Sequence, residues 1–339
     1  MNRERSFDAI VSCINDLKKE ASKRLPRVYR EFHDEGAMDL ITSRSLMNVE
    51  NIDISTKILD SKVSMPISFG PTGMQRLAHT DGEVAVSRAA ARKGLCMILA
   101  THSTVSLEEV ILQGSGNPYG MHLLMLKDRA LMGQLVKRAE GKRLNEHRNG
   151  FVLPEDMCWP NLKSSGRNEF FGTGTDMAFD PSIDWDSIIP WIRSLTSLQV
   201  WIKGVLSPSD VETAICHGID GVVISNHGGR QLDGVPATLD ALRECAPIAK
   251  DRIQIAVDGG IRRGSDIFKA LAMGAKHCFL GRIPIWGLAY NGQAGVELAV
   301  DILQQELKLT MALAGCRSLG EINRSHLTFL QADGLLAKL

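Results

Sequence analysis

An excess of charge of either sign is what this sequence lacks first. Its 39 Lys and Arg residues are matched by 39 Asp and Glu, for a formal net charge of zero. Without a basic field to gather a phosphate backbone, nucleic acid is excluded as an expected partner. Selectivity for a charged ligand must then come from local groups. The seven cysteines, Cys13, Cys96, Cys158, Cys216, Cys245, Cys278 and Cys316, are dispersed and form no C-x-x-C pair. This argues against a zinc site or a redox dithiol, and no metal is expected. An odd, scattered set reads as reduced thiols of an intracellular compartment. No stretch approaches the ~18–20 apolar residues of a membrane span. Charges also interrupt the N-terminal MNRERSFDAIVSCINDLKKEASKRLP too often for a signal peptide. No G-x-G-x-x-G opens a helix after the first strand, so the dinucleotide fingerprint is missing.

What is present is an alternation of short apolar runs and helical patterns, the signature of a parallel α/β architecture. The 339 residues suit one large α/β barrel. The expected organisation is a single domain over 1–339, with an N-terminal cap over 1–64, a barrel over 65–335 and a loop or lid over 141–184. A helix is expected from about Phe7 to Arg30, with Ile10, Cys13, Ile14, Leu17 and Ala21 on one stripe. Strand candidates are Pro66–Pro71, Cys96–Thr101, Tyr119–Leu124, Gln199–Val205, Gly221–His227, Ile253–Gly259 and His277–Arg282. Helical patterns include Gly82–Lys93, Asp128–Ala139, Ser207–His217 and Gly264–Met273. That makes seven strands, whereas a closed β/α barrel needs eight. The gap lies between Leu124 and Gln199, where the helical segment passes directly into charged GKRLNEHRNG. The expected fold is therefore a TIM-type (β/α)8 barrel lacking or altering its fourth strand.

Three stretches carry chemistry. In Gly221-Val-Val-Ile-Ser-Asn-His-Gly-Gly-Arg-Gln-Leu-Asp233 a buried strand ends in Ser225, Asn226 and His227, and two glycines precede Arg230. Barrel enzymes place their active site at such strand ends. An imidazole beside a guanidinium suits a proton acceptor near a carboxylate; the bland alternative is a histidine capping a strand. Asp258-Gly-Gly-Ile-Arg262 and Gly281-Arg282 follow two successive strands and fit a phosphate cradle, with Arg262 and Arg282 neutralising the charge. Ordinary glycine turns are the alternative there. Lys203 lies within an otherwise apolar strand, where a cation is costly unless paired. An anionic ring, such as a reduced flavin near N1, would serve; snorkelling from the strand end is the alternative.

SNHGGRQLD, DGGIRRGSD and Gly281-Arg282 resemble the motifs of the FMN-dependent 2-hydroxy-acid dehydrogenases and oxidases, the glycolate, lactate and mandelate oxidising group. Arg24-Leu-Pro, Pro66-Ile, Gly70-Pro-Thr-Gly73, Pro236-Ala-Thr and Met311–Cys316 extend the likeness over nearly the whole chain. GKRLNEHRN and GRIPIWGLAYNGQ look like filamentous fungal members, which points towards specialised metabolism. The resemblance implies FMN as cofactor and oxidation of a 2-hydroxy acid to the 2-keto acid, with oxygen or another carrier accepting the electrons. His227 would be the base. Arg230 would bind the substrate carboxylate with help from Arg143, and Lys203 would stabilise negative charge at flavin N1/C2=O. Ser225, Thr101, Pro71, Thr72 and Gly73 would contact the flavin. Asp258, Gly259, Gly260, Arg262, Gly281 and Arg282 would hold ribityl and phosphate. The resemblance also implies a homo-oligomer. It lends meaning to the ending Ala337-Lys338-Leu339, which is similar to the Ser-Lys-Leu peroxisomal address; the cytoplasm is the alternative location.

This sequence departs from the family pattern at several positions. The strand ending in Thr/Ser-Val-Asp before Gly141-Lys-Arg is absent, and with it the aspartate that partners the base, so the pKa of His227 should fall. Two substrate-side tyrosines correspond to Phe32 and Leu124, and a flavin-contacting glutamine to His122. A substrate larger or more apolar than glycolate is the expected consequence. The segment between Gly36-Ala-Met and Val49 is also short. The competing expectations are a catalytically impaired flavin-binding remnant or interaction protein, and a different barrel enzyme with a phosphate site.

Overall fold

The computed structural model describes residues 10–24, 40–141, 160–161, 180–330 and 336–338. Three short strands, β1 (Leu40–Ile41), β2 (Thr56–Ile58) and β3 (Ser61–Val63), precede the barrel sheet. The sheet itself is built from β4 (Ile67–Phe69), β5 (Met97–Leu99), β6 (Tyr119–Met121), β7 (Trp201–Val205), β8 (Gly221–Ile224), β9 (Gln254–Asp258) and β10 (His277–Leu280). All its pairings are parallel, in the order β6-β5-β4-β10-β9-β8-β7. Each strand falls within one of the seven expected windows. Parallel strands are covered on both faces and so read as continuous apolar runs; β4, β8 and β10 are buried at every residue.

Among the described residues β6 and β7 are the two edges of this sheet, so the curled wall is open between them. The opening lies where the fourth strand is expected to be absent or altered, and residues 142–159 and 162–179 of that stretch are outside the described ones. It is occupied by a cavity of about 850 Å³, lined by Met121 and Leu123 on one side and by Trp201 and Ile202 on the other. The antiparallel hairpin β2–β3 plugs the concave interior: Ile58 and Val63 pack with Cys96, Val223, Ala256 and Phe279.

Helices cover the convex face. Gly82–Lys93 and Gly264–Met273 fall where the sequence places them, both ending on a left-handed glycine, Gly94 and Gly274. This is the residue that reaches such a conformation without a Cβ penalty. Pro208 opens its helix one residue after the Ser207 cap, where its missing N–H costs nothing. The longest helix, Arg282–Ala314, is interrupted at Asn291 and Gly292. The N-terminal helix Ile14–Arg24 packs on it through the fully buried Leu17 and Ala21.

One expectation needs correction, and two elements were not foreseen. Ile10 is exposed and Val11 is buried in its stead. The helix begins at Ile14, so Ile10 lies ahead of the helical register. The expected lid over 141–184 is followed at once by an unforeseen helix, Trp185–Leu195, capped by the Asp184 carboxylate accepting from the Ser187 N–H. A second small sheet, β1 with β11 (Leu327–Leu330) and β12 (Leu336–Lys338), was also not anticipated. No helix among the described residues is long and apolar enough to cross a membrane.

Candidate active site

The residues singled out in the sequence converge on the C-terminal ends of the sheet strands. After β8 the chain turns through His227, whose φ of 56° is left-handed. Asn226 Oδ1 holds this turn by accepting from the Gly229 N–H. Ser225 Oγ accepts from the His227 N–H at 3.1 Å and from Lys203 Nζ at 2.9 Å. Lys203 Nζ also lies 3.0 Å from Asp258 Oδ2. The ends of β7, β8 and β9 are thereby tied through one ammonium group. The carboxylate that meets Lys203 is Asp258, a residue expected to serve the ribityl chain.

His227 is held neutral. Burial first, then the positive charges of Lys203 and Arg230, push its pKa down to about 4, with Asp258 pulling weakly the other way. Burial, with Arg282 nearby, lowers Arg230 to about 10, which leaves it charged at neutral pH. Two further imidazoles stand close. His122 falls to about 3 through burial, then Lys203, His227 and His102. His102 falls to about 4 through burial.

The other side of the rim comes from β4 and β5. Thr72 Oγ1 donates to the Gly281 carbonyl at 3.1 Å, joining the ends of β4 and β10. At Gly73 a Cβ would lie 2.6 Å from the His102 carbonyl oxygen, so only glycine allows this approach. The Thr101 hydroxyl donates to the His122 carbonyl at 2.5 Å and accepts from the Leu124 N–H at 3.1 Å. It is thus engaged in fixing the end of β6. Leu124 packs towards the apolar cluster of Leu126, Leu131 and Met132.

The residues expected to cradle a phosphate sit in the turn after β9, where Gly259 and Gly260 have φ of 86° and 74°, and at the start of the helix Arg282–Ala314. Arg282 Nη2 approaches the Gly228 carbonyl at 3.4 Å. The N–H groups of Arg262 and Arg263 are taken by Asp266 Oδ2, at 2.9 and 2.8 Å. Anion binding by backbone therefore falls to the glycine turn and the helix start. Phe32 and Arg143 lie outside the described residues.

FMN fits this rim on an observation independent of motif. Three buried polar atoms here lack a protein partner: His122 Nδ1, Asp258 Oδ1 and Arg262 Nη2. Buried polar atoms are ordinarily satisfied. An acceptor-rich ring edge, a ribityl hydroxyl and a phosphate oxygen are the complementary chemistries. No cluster suited to a metal ion occurs among the described residues.

Sequence reading missed the carboxylates behind the rim, Glu83 and Asp266. Each is the acidic residue of a first helical turn, a pattern too common to mark a special role.

Comparison with known proteins gives a consistent picture. Residues 37–329 match the family described as FMN-dependent dehydrogenase. "Oxidase FUB9" of Fusarium oxysporum f. sp. lycopersici is 44% identical over 95% of this chain and 92% of its own. "2-Hydroxyacid oxidase 1" of Homo sapiens is 39% identical, over 92% of this chain and 95% of its own. A mandelate oxidase structure with (S)-4-hydroxymandelic acid superposes with a TM-score of 0.81 at 32% identity, covering 92% of this chain and 97% of the other.

Proposed function

The chain belongs to the FMN-dependent dehydrogenase family, and from that premise we propose that it oxidises 2-hydroxy acids with FMN and that its substrate carries a side chain larger or more apolar than that of glycolate. The observation that carries this reading is the apolar run Leu123-Leu124-Met125 at the end of β6, two members of which line the 850 Å³ cavity beside His122 and Lys203. Apolar walls with a few convergent polar groups characterise small-molecule sites.

In this reading the roles divide by strand. Arg230 grips the substrate carboxylate as a planar fork. His227, neutral at physiological pH, accepts the proton. Lys203, with Ser225 and Asp258, sets the charge beside the ring, and Pro71, Thr72, Gly73 and Thr101 form its bed. Gly259, Gly260, Arg262, Gly281 and Arg282 hold the phosphate. Bound there, FMN supplies the electron acceptance that turns the hydroxy acid into the keto acid. Similarity to the Fusarium oxidase supports a fungal-type enzyme, and a place in specialised metabolism is part of this proposal.

Anaerobic flavin bleaching with a series from glycolate to 2-hydroxy acids with longer aliphatic or aromatic side chains tests the proposal. Faster bleaching with the larger acids is expected; a preference for glycolate overturns it. The open wall between β6 and β7 favours one second reading, a flavin-binding protein with impaired catalysis. Retained yellow FMN that no acid in the series bleaches would establish that reading.

A further inference from the structure

Glu83 is the second residue of the helix Gly82–Lys93 and is fully buried. Its Oε1 accepts from the backbone N–H of Gln75 at 3.2 Å and of Thr104 at 2.8 Å. Its Oε2 accepts from the Thr104 hydroxyl at 2.6 Å. Acidic side chains in a first turn ordinarily serve their own helix. This one reaches into two other segments, the loops after β4 and after β5.

Each of those loops carries a residue of the ring bed three positions before its contact with Glu83. In the first, Gln75 returns its side-chain N–H to the Thr72 carbonyl at 2.9 Å. In the second, Thr104 follows Thr101, whose hydroxyl fixes the end of β6. The loops also touch directly: the Met74 N–H donates to the His102 carbonyl at 3.0 Å, and Gly73 abuts that same carbonyl. Leaving a carboxyl group fully buried opposes its ionisation. Three donors converging on it from two loops recover part of that cost and make it a shared anchor.

The phosphate side has its own carboxylate. Asp266 binds the N–H groups of Arg262 and Arg263, and Glu306 binds that of Gly264. Each pole of the rim is therefore stapled by its own carboxylates, and the Thr72–Gly281 hydrogen bond links the two.

We propose that Glu83 is a positioning residue for the flavin ring, locking the Pro71–Gly73 turn and the Thr101–Thr104 loop into one bed while the phosphate pole keeps carboxylates of its own. The inference rests on the FMN reading above. It predicts a loss of affinity for the ring whether or not the ligand carries a phosphate.

Apo-protein is titrated with FMN and with riboflavin, following quenching of flavin fluorescence. Glu83→Ala should weaken both ligands by the same factor, about 10- to 100-fold, the range for leaving buried donors unsatisfied. Glu83→Gln should recover most of the affinity, because its amide oxygen can take the place of Oε1 between the two N–H donors. Thr104→Val, which removes only the hydroxyl, should fall between them. Riboflavin binding by Glu83→Ala as tight as in the parent overturns the proposal, as does a loss confined to FMN. If Glu83→Ala does not fold, Thr104→Val decides, and unchanged riboflavin affinity in that variant overturns it. A parent protein that binds neither flavin overturns the FMN assignment and this inference together.

Discussion

Lys203 Nζ lies 3.0 Å from Asp258 Oδ2, and both side chains are largely shielded from solvent. The ammonium group assigned to the flavin is thus already matched by a carboxylate. Asp258→Asn should leave that cation unmatched and lower the stability of the apo-protein by about 1–3 kcal/mol, the cost of stranding a buried charged group. Urea unfolding of parent and variant measures it; coincident midpoints would show that the pair contributes nothing.

His227 sets the acid limb of catalysis. Its pKa is about 4 in the folded protein, against an ordinary value of 6.5. Only neutral imidazole accepts a proton, so flavin reduction by substrate should be flat on this limb across neutral pH and fall only as pH approaches 4. The sign for stability follows: the folded form binds fewer protons between the two values. The contribution is fully present above 6.5 and is lost as pH falls through 4. His227→Asn should slow flavin reduction about 10²–10⁴-fold with FMN still bound. Anaerobic stopped-flow measurements over pH check both statements; an inflection near 6.5 contradicts the first.

Arg262 keeps one buried guanidinium nitrogen, Nη2, without a protein partner, and its side chain sits over the Trp286 ring at 5.8 Å. Arg262→Met preserves much of the apolar contact and removes the orphaned donor. The apo-protein should melt at the same temperature or higher, while FMN binds about 10- to 100-fold more weakly through loss of a charge-assisted bond. Riboflavin, without a phosphate, should bind both proteins alike. A parallel loss of riboflavin binding would place Arg262 elsewhere than at the phosphate.

The sheet was legible because strands such as β4, β8 and β10 are buried on both faces; β8, followed by Ser225-Asn226-His227, is the plainest case. The site was legible where one turn holds several chemical groups, as from His227 to Arg230. Glu83 was not, since its partner Thr104 lies 21 residues away and nothing local marks the contact. The helix Trp185–Leu195 was obscured by Pro190 in its interior, a residue that argues against helix from sequence. β1 and β12 are too short for an alternation to register. The Lys203–Asp258 pair was missed because each residue had been assigned to a different part of the cofactor.

In the sheet order, β10 is the central member, with three strands on either side. Its last residues, His277–Leu280, are also the last of the seven to be synthesised. β4, β5 and β6 come from the first half of the chain and β7, β8 and β9 from the second. Among the described residues no strand of one group pairs with a strand of the other except through β10. In sheet hydrogen bonding the two groups are two wings joined only by residues 277–280, while the β2–β3 plug packs on both from within. The ring bed sits on one wing and His227 on the other. The two halves of the active site therefore share one strand as keystone, and the Thr72 hydroxyl closes on Gly281 at its end.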